Sequence, residues 1–323
     1  MIKILQHPSE VLALPQAISR GLRRDLSGVG LRGAAFVGIA FLYFPIVLMI
    51  IMSFNAGNTL SWPPEGFSIK WYQHLWAMLA SGFTGEYSGN YVPLDKYGLY
   101  TGLLPAIIGS VSAALFVTII GVTAGFMAAY SIHKYRFRGR LLFKASFLFP
   151  IIFPMVITAS GLRVFFDMAG ILQCPLVTPC SWMITTPRML IGHLTAVLPY
   201  VFIVCMGGLM AYDNTVEEAA ESLGAGSSQR LRWIILPLVR PALIVSVILA
   251  FNRSLHDFIF TSSLTGGSML FLPMWVSKYL WRVTDPGVAT IMVFEMIILI
   301  PALYIATLWI KPERLATGGV GKG

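Results

Sequence analysis

Apolar residues in this chain come in long runs separated by short polar stretches. Six runs reach the roughly 20 residues that carry a helix across a bilayer. They lie at about 33–54, 103–130, 143–166, 189–211, 241–263 and 287–310. A backbone in lipid has no water to satisfy its N–H and C=O groups, so runs of this length predict transmembrane α-helices. The pattern predicts an all-α integral membrane protein with six transmembrane helices. A tail over residues 1–32 precedes them and a tail over 311–323 follows. Pro and Gly in the second and third runs do not count against them, because membrane helices tolerate both. Composition agrees with this class. The 323 residues are 56% hydrophobic and 11% charged, against about 25% charged in soluble domains.

Charge gives the chain a direction. Most of its 23 basic residues fall in alternate segments. These are Lys3, Arg20, Arg23, Arg24 and Arg32; Lys134, Arg136, Arg138, Arg140 and Lys144; Arg230, Arg232 and Arg240; and Lys311, Arg314 and Lys322. Basic loops stay in the cytoplasm, which predicts that both termini are cytoplasmic. The same bias explains the net charge of +9 without a nucleic-acid partner. The first run follows basic residues, exceeds a signal-peptide core and precedes no clear cleavage site, so it reads as a retained anchor.

The outer segment 55–102 is long and carries Trp62, Trp71, Tyr72 and Trp76. Aromatics beside a span predict an interfacial belt. Trp275, Tyr279 and Trp281, after the fifth run, read as interfacial or as receiving solute. Cys174 and Cys180 flank a second outer loop. They could pair in an oxidising periplasm or remain thiols.

One polar stretch, Asn214–Pro241, is too long for a turn between spans four and five. Thr215 and Glu218 have capping-box spacing. Glu217, Glu218 and Glu221 suit a helix N-terminus. Gly224 and Gly226 stop or turn that helix. Ser227 and Ser228 are candidate caps for a second helix, which Pro237 and Pro241 end or kink at the membrane. The stretch predicts helix, turn, helix on the cytoplasmic face. Its first helix is poor in apolar area and rich in small residues, which favours a protein groove over a lipid surface.

Here the sequence resembles a family. Glu218, Ala219 and Ala220, then Gly224 after three residues, then Ile234, Leu236 and Pro237 after nine more, reproduce the E-A-A motif. That motif marks binding-protein-dependent ABC importer permeases. The runs Phe41–Asn55, Gly66–Tyr72, Tyr135–Arg140 and Ser254–Phe258 look like its spermidine/putrescine branch. The resemblance implies a type I importer transmembrane domain in a bacterial inner membrane. It implies a cytoplasmic coupling helix that seats on an ATPase subunit through Glu217, Glu218, Ala219, Ala220, Leu223, Gly224 and Ala225. The implied partners are an ATP-binding cassette ATPase homodimer, a second homologous permease and a periplasmic solute-binding protein. ATP and Mg would be bound by the ATPase, with no cofactor in this chain. The chain departs from the branch at His256, where an Asp is usual. It departs also in the longer segments 78–102 and 174–180, which leaves the solute open among polyamines, sugars, opines, phosphonates and amino-acid-like molecules.

Polar groups inside spans mark candidate pathways. Arg253, His256 and Asp257 have i,i+3 and i,i+4 spacing and are predicted to share one helix face. The pair Arg253–Asp257 reads either as self-neutralising or as part of a translocation lining with His256 and Glu295. Arg163 and His193, near outer span ends, read as snorkelling side chains. The tail Gly318–Gly323 lacks the first Gly and the hydroxyl residue of a phosphate-binding loop. The five His and three Cys do not fall at metal-ligand spacing, and no Ser/His/Asp signature is present. Catalysis by this chain is therefore disfavoured, and so, with no internal hydropathy repeat detected, is solute transport coupled to ions without an ATPase.

Overall fold

The computed structural model describes residues 29–80, 102–170, 181–213, 215–265, 271–282 and 284–309. Among these the regular structure is helical, apart from one isolated bridge between Asn55 and Phe67. The helices are α1 (Val29–Ser53), α2 (Lys70–Ala80), α3 (Leu103–Lys134), α4 (Arg140–Ile152), α5 (Met155–Met168), α6 (Ser181–Ala211) and α7 (Thr215–Ser222). Then follow α8 (Ser227–Leu238), α9 (Arg240–Leu255), α10 (Phe258–Leu264), α11 (Leu272–Arg282) and α12 (Gly287–Trp309). Every predicted span coincides with a helix or a broken helix. The pair Cys174 and Cys180, the first 28 residues and the tail 311–323 lie outside the described residues.

The centre is a three-helix pack of α3, α6 and α9. Val117, Phe126, Val197, Val201, Phe202 and Ala250 form its buried cluster. Lipid gives apolar helices no hydrophobic reason to associate, so close approach of small residues has to do it. At Gly208 of α6 a Cβ would lie 2.4 Å from the Ala242 Cβ of α9. Only glycine permits that contact. Around this centre α1 is almost wholly exposed, with Phe36, Phe41, Leu42 and Phe44 facing outward, as an apolar helix bordering lipid does.

Two predicted spans are not straight. The third is split into α4 and α5, which meet at 108°. Phe153 at the joint is extended, at φ −92° and ψ 141°. Pro154 follows it, and a proline disfavours helical backbone in the residue before it. The fifth is interrupted at His256 and Asp257, between α9 and α10.

Within the outer segment, Lys70–Ala80 is helical. Leu75 and Met78 of α2 pack with Leu103, Trp275 and Tyr279 in a second core, and Trp71 beside them is buried with its Nε1–H donating to Gly57 O at 3.2 Å. Trp71, Trp275 and Tyr279 are therefore buried and form no interfacial belt, while Trp62 and Trp76 are 67% and 73% exposed. The sequence pattern missed this because buried and interfacial aromatics look alike without their neighbours.

Asp285 closes the turn that starts α12. Its Oδ1 accepts the Gly287 N–H at 2.9 Å, and the Tyr279 hydroxyl donates to both oxygens at 3.2–3.3 Å. Burial pushes this carboxyl up to about 6. The folded protein thus holds the proton more tightly than the unfolded chain. The resulting stability is full below the unfolded pKa of about 4 and is lost as the pH rises through about 6. Thermal unfolding in detergent should show this fall, and Asp285→Asn should flatten it. An unchanged pH profile in the variant would show that other groups are responsible.

Candidate coupling helix and transmembrane polar site

The polar insertion forms the predicted helix, turn and helix, with different caps. Asp213 Oδ1 accepts the Thr215 N–H at 3.0 Å, so Thr215 lies in the first turn and does not cap it. At the other end the Ala225 N–H bonds Ala220 O and the Gly224 N–H bonds Glu221 O, at 3.0 and 2.9 Å. This is a Schellman closure. Gly224 stands at φ +85°, a left-handed conformation that glycine adopts without Cβ strain. The cap of α8 is Gly226, whose N–H donates to Gln229 Oε1 at 2.9 Å. Ser227 and Ser228 fall within that helix. A π-helical turn, Leu231–Ile235, leads into Pro237, widening the helix where the proline ring would meet a carbonyl. The chain then bends by 74° into α9.

The seven candidate contact residues face two ways. Glu217 is buried, 4% exposed, and turns inward. It pairs with Lys134 Nζ at the end of α3. Its Oε2 accepts from the Tyr212 hydroxyl at 3.2 Å, and Arg230 Nε of α8 lies 3.7 Å from Oε1. Arg230 Nη1 reaches Glu221 at 2.6 Å. Burial, then the Glu217 charge, pushes the Tyr212 hydroxyl up to about 12, so it stays a donor at neutral pH. Glu218, Ala219, Leu223 and Gly224 are exposed on the other side, with Leu223 at 89%. Ala220 and Ala225 are half-buried. Glu217 therefore holds the insertion to its own chain, and Glu218, Ala219, Leu223 and Gly224 form an outward face. Lys134, Tyr212 and Arg230 were missed by sequence reasoning. Lys134 and Glu217 stand 83 positions apart, and no local period joins them.

The membrane residues also separate. Arg253 Nη1 donates to Asp257 Oδ2 at 2.7 Å. Asp257 Oδ1 accepts the Phe260 N–H at 2.7 Å, capping α10. Arg253 Nη2 lies 2.7 Å from Met155 Sδ, at the start of α5. The two broken spans thus meet at this guanidinium. His193 of α6 does not snorkel. It is 3% exposed and bridges the second break, with Nδ1 2.9 Å from Ser254 Oγ and Nε2 3.0 Å from Thr261 Oγ1. Thr261 gives its proton to Asp257 O, so its oxygen accepts from Nε2–H and fixes that tautomer.

His256 departs from the expected common face, because the helix ends there. Its Nδ1 lies 4.0 Å from Glu295 Oε2 of α12. Both line a small apolar cavity of about 60 Å³ among α3, α9, α11 and α12. Arg163 is 3.9 Å from Asp167, which also pairs with Arg188 at 2.7 Å. Among the described residues no group of three or more His, Cys, Asp or Glu could hold a metal ion.

Fold and site together define a multi-pass membrane protein with an anchored helical hairpin at one end of its bundle. Residues 121–314 match the family described as binding-protein-dependent transport system inner membrane component, and the chain belongs to it. It is 31% identical over 262 residues to the spermidine/putrescine transport system permease protein PotC of Haemophilus influenzae, covering 80% of this chain and 88% of that one. It is 30% identical over 243 residues to the putrescine transport system permease protein PotI of Escherichia coli K12, covering 74% and 76%. A crystal structure of a bacterial ABC transporter involved in the import of the acidic polysaccharide alginate shares the fold. Its TM-score is 0.60 at 14% identity, covering 91% of this chain and 98% of that chain. The chain is thus an inner-membrane permease subunit of an ABC importer, a component that works with an ATPase and a solute-binding protein.

The Glu217 cluster has a measurable stability consequence. Glu217→Gln removes one partner of a largely buried ion pair and should cost about 3 kcal/mol. The loss should appear as a lower unfolding midpoint in detergent. Glu218→Gln, on the exposed face, should change it by less than about 0.5 kcal/mol. Equal effects would contradict the inward assignment.

Proposed function

We propose that this chain forms half of the translocation pathway of an importer for a polyamine-like solute. The solute is delivered by a periplasmic binding protein. A second, homologous permease completes the pathway, and two copies of an ATPase bind the cytoplasmic face. The chain itself is non-catalytic and holds no cofactor; ATP and Mg belong to the ATPase. Both termini are cytoplasmic, which places the α7–α8 hairpin on the ATPase side. The exposed face of α7, with Glu218, Ala219, Leu223 and Gly224 outward and Glu217 tied to α3, is the observation that carries this reading. A partner pressing on that face displaces α7, and the Glu217 cluster passes the displacement to α3 and α6. Preferential binding of the ATPase to one state then shifts the equilibrium between inward- and outward-open forms. The solute class is supported by two relatives named for spermidine and putrescine.

Two measurements on the reconstituted complex test this. Gly224→Asp meets no atom within 4 Å but strains the left-handed turn at φ +85°; that strain is confined to the exposed hairpin, so membrane insertion should stay intact. It should lower solute-stimulated ATPase activity about tenfold, as expected for about 1.4 kcal/mol lost from a docking contact. Normal transport by the variant removes the coupling assignment. In the second measurement, putrescine or spermidine with the binding protein should stimulate ATP hydrolysis. Stimulation by a sugar or opine but by no polyamine rejects the solute.

A further inference from the structure

The elbow between α3 and α4 carries a run of positive charge that the coupling helix does not use. Arg136, Arg138, Arg140 and Lys144 fall within nine residues, and no Asp or Glu stands between Ser131 and Ile152. All four are exposed. None of them forms an ion pair among the described residues. Lys134, just before them at the end of α3, is taken by Glu217.

The elbow has a fixed shape. Gly139 turns it at φ +87°, with the Arg140 N–H bonded to Phe137 O at 3.3 Å and the Phe143 N–H to Gly139 O at 2.9 Å. Aromatic rings then brace it against the core. Phe137 meets Phe143 edge-on at 5.9 Å between centroids, and Phe143 meets Phe147 at 5.2 Å. Phe147 stacks on the buried Phe202 of α6 at 5.3 Å. The cations are therefore presented from a braced turn.

Apolar surface lies directly beside this charge. Leu141 and Leu142 are 79% and 76% exposed, and no residue of α4 is buried. Arg140 and Lys144 stand one turn apart and share a helix face with Leu141. A helix that is apolar and uncovered by its own chain borders acyl chains, which sets its first turn at headgroup depth. Basic side chains there reach phosphates while their stems lie along hydrocarbon. An acidic protein surface would satisfy the guanidinium groups but would leave two leucines in water. Charge and apolar area together fit a phospholipid with a net negative headgroup.

We propose that the α3–α4 elbow is a binding site for an anionic phospholipid. Arg136, Arg138, Arg140 and Lys144 supply cations to its phosphodiester, and Leu141 and Leu142 meet its acyl chains. The site lies on the same side of the bundle as the α7–α8 hairpin, because Lys134 reaches Glu217. A lipid seated there holds the end of α3 next to the carboxylate that anchors the hairpin.

The test uses the assembled permease–ATPase complex in a neutral detergent, with bound lipid counted by native mass spectrometry. Phosphatidylglycerol should bind, and phosphatidylcholine with the same chains should bind at least about tenfold more weakly. Arg136→Gln with Arg138→Gln should weaken phosphatidylglycerol about tenfold. The charge-matched pair Arg32→Gln with Arg232→Gln, at residues exposed elsewhere on the chain, should change it by less than about twofold. Equal binding of the two lipids, or equal weakening by the two pairs of variants, overturns the site, since the attraction would then be diffuse. Free glycerol phosphate should fail to displace the lipid. Displacement would reveal a site for phosphate alone and overturn the lipid assignment. Loss of the ATPase from the Arg136→Gln, Arg138→Gln complex, with lipid binding unchanged, gives the surface to the ATPase and also overturns it.

Discussion

A polypeptide inside a bilayer has to pair each backbone polar group without help from water. This chain interrupts two spans, so the obligation falls on side chains at both joints. At the second break Asp257 supplies the lost acceptor by capping α10. A capping carboxylate buried in that medium needs a counter-charge, and Arg253 provides it. His193 then ties Ser254 on one side of the gap to Thr261 on the other. These polar residues are present because the helix is broken. Their cost is met locally, by partners across the same break.

The same logic at the other end of the bundle places Glu217. The first turn of α7 attracts negative charge by its unpaired N–H groups, and two adjacent glutamates stand there. Helical geometry sends neighbouring residues to different faces, so one enters the protein and one leaves it. The inward residue finds Lys134, Tyr212 and Arg230. Three separate elements therefore converge on one carboxylate, and the outward surface inherits its orientation from them.

Much of this was legible in the sequence, for identifiable reasons. Span positions follow from hydropathy runs that little else in a protein produces. The hairpin was legible because glycine at Gly224 and proline at Pro237 act through their own backbones. The breaks were not. Pro154 sits in apolar sequence where membrane helices often tolerate proline, and Asp257 reads as one more charge on a face until its capping bond is seen. Arg253 and Asp257 did pair as their spacing allowed, but His256 left their company because the helix ends beneath it. The Glu217 cluster was beyond reach, since its members come from distant parts of the chain. His193 was misplaced because depth in a membrane does not say which way a ring points.

The contact of Gly208 with Ala242 has a mechanical corollary. Two helices touching at that distance cannot slide without one backbone climbing over the other's methyl group. The 74° elbow into α9 lies only a few residues away, at Val239. On the coupling proposed above, a push on the hairpin would reach α9 where it is held against α6. The two should turn together as one rigid block, with little of the stroke lost to compression between them.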